Sequence, residues 1–332
     1  MVQLGGSLRN IFSTHISTIL AFGEKGNDNA ASKLPLPSHW QKDKQITSVS
    51  NPLVKHCVKL RLSSSYRRSC RSLVVVGLTP ILEICSFQKL KDYEVSILDC
   101  LILLDGAETP EELDPSNFVV HTSPNVMKKL SGMQSIDSIE AIAIMKMPKN
   151  FCALEKNQNE VGSYSLFHSP YRILVLDGIQ DPGNLGTLIR SACAFKWDGI
   201  FLLPGCCDPF NEKAIRAARG ASFQLPIVSG NWHHLKSLRA KFNMMILAGH
   251  PKDSSDGSKR VSCLSQELAD TFAGKPLCLV LGSEGNGLSE QTLEACELVS
   301  IPMNGMFESL NVSVAGGIFL FMLQSKHQRY NA

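Results

Sequence analysis

The second half of the chain alternates between two apolar patterns, and this alternation restricts the fold more than any other feature. Runs of four or five apolar residues, which predict buried strands, are separated by segments with helical spacing. Alternating strands and helices place helices on both faces of a parallel sheet, so an α/β fold is expected. The strand-like runs are Ile173–Leu176, Ile200–Leu203, Met245–Ala248 and Leu277–Leu281. The helical segments are Leu185–Phe195, Glu212–Arg219, His233–Lys241 and Ser289–Cys296.

The 332 residues are enough for two domains and an extension, and 44% hydrophobic residues permit sizeable cores. We predict a first, small α/β domain over residues 43–150 and a second domain over residues 170–327. Residues 151–169 are polar and lack periodicity, so they are predicted to form a linker. Two buried strands are predicted in the first domain, at Leu73–Val76 and Cys100–Leu104.

Residues 1–42 have a different composition. The first 23 residues contain no Asp or Glu, and Arg9 lies among several Ser and Thr residues. This composition is typical of a mitochondrial or chloroplast transit peptide, followed by a linker rich in Asn, Ser, Gly and Pro. The alternative is a disordered tail on a cytoplasmic protein.

Cysteine usage and apolar run lengths argue against several classes of protein. The 11 cysteines are scattered and odd in number, which favours a reducing compartment over a disulfide framework. They form no C-x-x-C pair, so no metal site is expected. The apolar segment Ile318–Leu323 is far shorter than the roughly 18 residues that a membrane span needs, so no membrane segment is expected.

A basic stretch lies near the start of the first domain. Between Lys44 and Leu82 the chain contains no Asp or Glu, whereas the net charge of the whole chain is only +3. Such a stretch attracts phosphate backbones and predicts an RNA-binding surface; the alternative is a solvated helix face with acidic neighbours in space. The predicted RNA-binding residues are Lys55, Lys59, Arg61, Arg67, Arg68 and Arg71.

The first segment with candidate functional residues is Leu176–Phe195. Its Asp-Pro-Gly turn precedes Asn184, which we predict to cap the following helix. Arg190 lies about 130° from the centre of that helix's apolar stripe, so it should face solvent, a ligand or a partner subunit. The stripe consists of Leu185, Leu188, Ile189, Ala192 and Cys193.

Two later segments also contain candidate functional residues. Leu279–Ser289 is a strand followed by a loop with three glycines, which let a ligand approach the backbone, although the spacing matches no dinucleotide or P-loop pattern. Ile301–Gly317 ends in an apolar helix, for which Ser309 is the predicted N-cap. Adjacent glycines in that helix predict close packing against another backbone.

In this order and near the C-terminus, the three segments resemble the signature motifs of the SpoU/TrmH family of RNA ribose 2′-O-methyltransferases, in the SPOUT superfamily. Asn184 and Arg190 match the first motif, Glu284 the second, and Ser309 and Asn311 the third. Residues 211–226 also resemble a family segment but carry Ala at position 218, where Ser is common. Residues 46–55 resemble the start of the family's small RNA-binding domain, which is similar to ribosomal protein L30e.

The resemblance implies a parallel-sheet SPOUT domain with a C-terminal trefoil knot, preceded by an L30e-like α/β domain. It implies S-adenosylmethionine as cofactor, rRNA or tRNA as substrate and a homodimer. The implied catalytic residues are Asn184, Arg190, Glu284, Ser309 and Asn311. The implied cofactor-binding residues are Leu281, Gly282, Ser283, Gly285, Ile301, Met303, Gly305 and Leu310.

Two alternatives remain. A non-catalytic RNA-binding or ribosome-assembly protein could retain the fold, but such a protein would be expected to lose Arg190, Glu284 or Asn311, and all three are present. A methyltransferase of the ordinary doubly wound class needs a Gly-rich loop after the first strand of the domain. Here the cofactor-like loops come late, which argues against that class.

Overall fold

The computed structural model separates into two compact units, unit 1 (residues 1–147) and unit 2 (residues 148–332). The predicted transit peptide lies outside the residues that the structure describes. The described residues are 44–89, 96–113, 118–135, 139–154, 166–251, 260–285, 287–305, 307 and 309–325.

Unit 1 contains a five-stranded sheet with the strand order β1-β4-β3-β5-β2. β1, β3 and β4 are parallel, whereas β5 runs antiparallel to both of its neighbours. β2 and β3 contain the two predicted strands, each extended by one or two residues at its start. The elements are β1 Lys44–Ile46, α1 Pro52–Leu62, α2 Ser64–Cys70, β2 Ser72–Val76, α3 Leu78–Lys89, β3 Leu98–Leu104, β4 Val119–Thr122, α4 Pro124–Ser131 and β5 Ala141–Lys146.

In the described part of unit 2, eight strands form a sheet in the order β11-β13-β10-β12-β7-β8-β9-β6, and every pairing between them is parallel. This confirms the predicted parallel sheet. The strands are β6 Phe151–Ala153, β7 Arg172–Asp177, β8 Gly199–Leu202, β9 Ile227–Ser229, β10 Met245–Gly249, β11 Val261–Cys263, β12 Leu277–Gly282 and β13 Glu297–Ser300. The helices are α5 Pro182–Ala194, α6 Glu212–Ala218, α7 Trp232–Phe242, α8 Gln266–Phe272, α9 Glu290–Ala295 and α10 Val312–Met322.

The structure corrects the predicted linker. Its first residues, Phe151–Ala153, form β6 and pair with β9 at the edge of the unit 2 sheet. β9, β11 and β13 were also not predicted. β6, β9 and β11 have only three residues, and β13 has four of which two are apolar, so apolar periodicity does not reveal them.

Packing between helices in unit 2 positions the segments that carry the motifs. α10 crosses α5 so closely that a Cβ on Gly316 would lie 2.2 Å from Leu188 Cδ2 and 2.9 Å from Leu281 Cδ1. The last residues of β7 and β12, Asp177 and Gly282, are register partners. We call the side of the sheet where β7, β10 and β12 end the carboxyl edge, and the opposite side the amino edge. The motif loops leave from the carboxyl edge.

Candidate active site

Side chains from the three motifs meet at the carboxyl edge. Glu284 Oε1 accepts hydrogen bonds from Asn184 Nδ2 at 2.7 Å and from Asn311 Nδ2 at 2.6 Å. Asn311 Nδ2 also lies 3.2 Å from Asn184 Oδ1. Residues 100 and 127 positions apart in sequence are therefore joined directly. We call Asn184, Glu284, Asn311 and Ser313 the motif network.

Ser313 belongs to this network although sequence reasoning did not select it. Its hydroxyl lies 3.1 Å from Asn184 Oδ1 and 2.6 Å from Asn311 Oδ1. The available signal was its position, two residues after Asn311 within the third motif. A small hydroxyl on the first turn of a helix can reach the residue that caps that helix.

Both predicted helix caps are wrong by a few residues. Asp181, not Asn184, caps α5 and accepts a hydrogen bond from Asn184 N at 2.8 Å. Asn311, not Ser309, caps α10 and accepts from Ser313 N and Val314 N. Asn184 is consequently in the first turn of its helix, where its side chain is available to bond Glu284.

Below the network lies a cleft of about 710 Å³. Glu284, Ser309 and Asn311 are on its wall. Six of the eight predicted cofactor residues line it: Leu281, Gly282, Ser283, Ile301, Met303 and Leu310. The other two do not. Gly285 lines a separate pocket of about 200 Å³, and Gly305 lines neither.

Seven further residues that sequence reasoning did not select line the cleft: Gly249, His250, Pro251, Leu288, Val312, Ala315 and Phe319. The first three follow or end β10, which pairs with β12. Residues at the ends of neighbouring parallel strands meet at one edge, so knowledge of the strand order would have found them. The apolar runs by themselves do not give that order.

The glycine at the end of β12 is required by a tight turn. A Cβ on Gly282 would lie 2.3 Å from the carbonyl oxygen of Gly287. Ser283 and Gly287 exchange two backbone hydrogen bonds of 3.0 and 2.9 Å, which fold the loop back on itself. The loop backbone is thereby brought to the wall of the cleft.

Arg190 lies in α5 and is exposed, as its angle from the apolar stripe predicted. It makes no hydrogen bond or ion pair with any residue that the structure describes. Its guanidinium is therefore available to an external anion such as a phosphate.

In unit 1, four of the predicted RNA-binding residues are exposed: Lys55, Lys59, Arg68 and Arg71. Arg61 is half-buried beside Gly132. Arg67 corrects the prediction, because it is only 3% exposed and its guanidinium donates to the carbonyls of Leu60 and Arg61. Its charge holds the end of α1 and does not contribute to an RNA surface.

Two adjacent thiols lie in the loop after β8, near the start of the first motif. Burial raises the pKa of Cys206 to about 11 and that of Cys207 to about 12. Cys206 Sγ donates to the carbonyl of Leu176 at 3.2 Å. Both thiols are therefore neutral near pH 7, and they lack the thiolate character of a nucleophile.

Within the described part of the chain, no three His, Cys, Asp or Glu side chains are grouped so that they could hold a metal ion. Over the same residues, no helix is both long and apolar enough to cross a membrane.

Comparisons with known proteins identify relatives of this chain. A family model described as the SpoU rRNA Methylase family matches residues 171–321. The 23S rRNA (guanosine(2553)-2′-O)-methyltransferase RlmP of Bacillus subtilis (strain 168) is 31% identical over 287 residues. That alignment covers 85% of this chain and 99% of the relative.

Solved structures share the fold. A crystal structure described as an RNA 2′-O ribose methyltransferase is 25% identical, with a TM-score of 0.62, over 84% of this chain and 97% of that one. An AdoMet-bound rRNA methyltransferase from Sinorhizobium meliloti is 24% identical, with a TM-score of 0.62, over 85% and 98%. With the matched model spanning all three motifs and a relative aligned over nearly its whole length, the chain belongs to the SpoU rRNA methylase family.

Proposed function

We propose that this protein transfers a methyl group from S-adenosylmethionine to the ribose 2′-hydroxyl of a nucleotide in ribosomal RNA. The class of enzyme, an RNA ribose methyltransferase, follows from the family and from the relative that spans most of the chain. The motif network supports the proposal most directly, because Asn184 and Asn311 both donate to Glu284, and Glu284 and Asn311 line the cleft.

The cleft fits the cofactor. Its volume of about 710 Å³ falls within the roughly 300–1,000 Å³ of small-molecule sites. Its wall combines the apolar side chains of Leu281, Ile301 and Leu310 with the backbone of Gly282. Apolar side chains can enclose a purine while main-chain groups bond its edge. When bound there, S-adenosylmethionine supplies the sulfonium methyl group that is transferred.

Arg190 is proposed to bind the RNA substrate. The 2′-hydroxyl is a weak nucleophile that loses its proton as it attacks, but a guanidinium stays protonated in proteins and is a poor base. Arg190 instead binds the phosphate next to the target ribose through two parallel hydrogen bonds and stabilises the developing alkoxide. The proton passes to that phosphate or to water.

The motif network orients the reacting groups. By accepting from both asparagine amides, Glu284 holds the first motif against the third. The pocket of about 200 Å³ shares Ser283, Glu284 and Val312 with the cleft. We expect the target ribose to enter this pocket, with Asn184 and the exposed hydroxyl of Ser309 fixing its position.

The substrate is proposed to be large-subunit ribosomal RNA, because the relative aligned over 99% of its length is named for a guanosine of 23S rRNA. Unit 1 is proposed to be an L30e-like domain that binds this RNA through Lys55, Lys59, Arg68 and Arg71. Lys55 and Lys59 are one turn apart on α1, so both can meet one phosphate backbone.

A homodimer is proposed, with α10 at its interface. Val314 is 53% exposed and Phe321 52% exposed, although the helix is apolar nearly all round. A second copy would cover these side chains, and Arg190 could then serve the partner's site. Light scattering at micromolar concentration tests this, and a monomer would contradict it. If a dimer forms, activity recovered by mixing Arg190→Ala with Asn311→Ala chains would support a shared site.

We also propose a knotted C-terminal segment and an N-terminal targeting segment. The C-terminal segment is proposed to be threaded as a trefoil knot; the return of α10 from the far side of β10 to pack on α5 supports this. Residues 1–42 are proposed to direct import into a chloroplast or mitochondrion, and a fluorescent fusion that stays in the cytoplasm would contradict this.

The function is tested with the full chain, labelled S-adenosylmethionine and transcripts of ribosomal and transfer RNA. We expect label in ribosomal RNA at one ribose, mapped by reverse transcription at low nucleotide concentration. Calorimetry without RNA should detect cofactor binding, because the cleft lies within unit 2. A folded protein that binds RNA and methylates neither transcript would favour the non-catalytic alternative.

A further inference from the structure

Asp177 is a buried carboxylate that the motif network does not use. It is the last residue of β7 and is 7% exposed. One of its oxygens, Oδ2, accepts three hydrogen bonds: from Ser289 N at 3.0 Å, from Ser289 Oγ at 2.7 Å and from Thr292 Oγ1 at 2.6 Å. All three donors belong to the N-cap and first turn of α9.

Through these contacts a single residue, Asp177, fixes the positions of both ends of the loop between β12 and α9. Gly282, where the loop begins, is the register partner of Asp177, and Ser289, where it ends, is bound by the Asp177 side chain. Four loop residues between them line the cleft: Ser283, Glu284, Gly287 and Leu288. We call the described residues of this segment, 283–285, 287 and 288, the cofactor loop.

The three donors at the start of α9 require a partner that only accepts hydrogen bonds, as a carboxylate does. The Ser289 and Thr292 hydroxyls lie 2.9 Å apart, and each can direct its proton to Asp177. Ser289 Oγ is then free to accept from Thr292 N and cap the helix. Hydrogen bonds to a carboxylate are about twice as strong as neutral ones. The side-chain amide of an Asn at position 177 would either weaken all three hydrogen bonds or turn its NH₂ group toward the donors.

We propose that Asp177 is a positioning residue for cofactor binding: it holds both ends of the cofactor loop in the geometry that the ligand needs. This rests on the proposed function in one respect, namely that the cleft binds S-adenosylmethionine. Asp177 lines neither the cleft nor the second pocket, so it acts through the loop.

The test uses the full chain with Asp177→Asn. The dissociation constants of S-adenosylmethionine and S-adenosylhomocysteine, measured by calorimetry, should rise about tenfold or more. The KM for the cofactor should rise by a similar factor, while kcat at saturating cofactor falls less. Asp198→Asn is the matched control, because Asp198 also accepts two bonds of 2.7 Å, from Tyr171 N and Arg172 N, at the other end of β7. It should lower the melting temperature and leave cofactor affinity unchanged.

Ser289→Ala and Thr292→Val provide a second route if Asp177→Asn fails to fold. Each should weaken cofactor binding about threefold. In combination with Asp177→Asn, neither should weaken binding by its full factor, because the same hydrogen bonds are already lost. The proposal is overturned if a folded Asp177→Asn, or the folded Ser289→Ala/Thr292→Val pair, binds within twofold of the unmodified protein. It is equally overturned if Asp198→Asn weakens binding as much. Failure of the unmodified protein to bind the cofactor would instead count against the proposed function.

Discussion

The two edges of the unit 2 sheet are stabilised in different ways, although the same strands form both. At the amino edge, Arg172 is 1% exposed and donates to the carbonyls of Leu323 at 2.6 Å, Lys275 at 2.7 Å, and Phe272 and Tyr171 at 3.0 Å. At the carboxyl edge, the Asn184–Glu284–Asn311 bonds join partly or fully exposed side chains.

The difference separates stability from function. A buried cation that donates to carbonyls at the ends of α8 and α10 stabilises the fold, and its removal takes a charged donor away from each of these carbonyls. Exposed side-chain bonds contribute little to stability because water competes for them. They do fix the relative positions of three loops, which is what a catalytic site needs. Substitutions at the carboxyl edge should therefore lower activity, and those at the amino edge should lower stability.

The largest effect is expected for Arg190, on the helix that starts at the carboxyl edge. Arg190→Ala should lower the methyl-transfer rate by about a hundredfold or more, since one charge-stabilising donor is lost. Arg190→Lys should also be strongly impaired because Lys cannot form the bidentate fork. Cofactor affinity should stay nearly unchanged in both.

Single-turnover rates and calorimetry on the same preparations provide the measurement. Lys236→Ala, which removes an exposed positive charge from α7, is the control and should keep full activity. An Arg190→Ala enzyme with normal single-turnover rates would remove Arg190 from the mechanism.

Arg172→Met tests the amino edge. The carbonyls of Leu323 and Lys275 lose the Arg172 donor, whereas those of Phe272 and Tyr171 each keep a backbone N–H donor. The substitution should cost about 3 kcal/mol of unfolding free energy, and the folded fraction should bind the cofactor normally. Denaturant unfolding and calorimetry measure the two quantities. Arg239→Met is the control, because Arg239 donates to a single carbonyl, that of Met244 at 3.2 Å, and is exposed. A similar loss of stability in both variants would contradict the special role of Arg172.

Glu284→Gln tests the motif network. The amide oxygen can still accept, but the bonds lose their charge, so kcat/KM should fall about tenfold. Glu284→Ala should fall further because no acceptor remains. The melting temperature should change by no more than about 2 °C, since the site is exposed. Glu290→Gln, on the exposed surface of α9, should change neither quantity. Full activity of Glu284→Ala would show that the network is dispensable.

The smallest effect concerns Cys278, in the amino half of β12, whose pKa burial raises from 9.0 to about 12. The unfolded chain releases this proton near pH 9 while the folded chain keeps it, so stability is constant below about pH 8 and falls as pH rises above 9. Between pH 8 and pH 10 the loss should be about 1 kcal/mol. Urea unfolding should find that loss reduced in Cys278→Ala and unchanged in Cys263→Ala, whose thiol is exposed. An equal pH slope in all three proteins would contradict the assignment.

Much of the architecture could be predicted from local pattern. The four strands and four helices predicted in unit 2 are present, because each strand contains a run of four or five apolar residues and each helix has an apolar period of about 3.6 residues. Strands of three residues, such as β6 and β11, have no readable period. The caps were misplaced because several residues near each helix start could serve, and only the backbone path selects Asp181 and Asn311.

The sequence by itself determined the family and most of the residues around the cleft, because the motifs are contiguous strings whose residue types and order can be recognised without coordinates. Only the tertiary structure decided which of them touch. It joined Asn184 to Glu284 across 100 positions and Asp177 to Ser289 across 112, brought Gly249 to the cleft, and buried Arg67. These outcomes depend on strand order and helix packing, and a pairing between distant residues leaves no local periodicity in the chain.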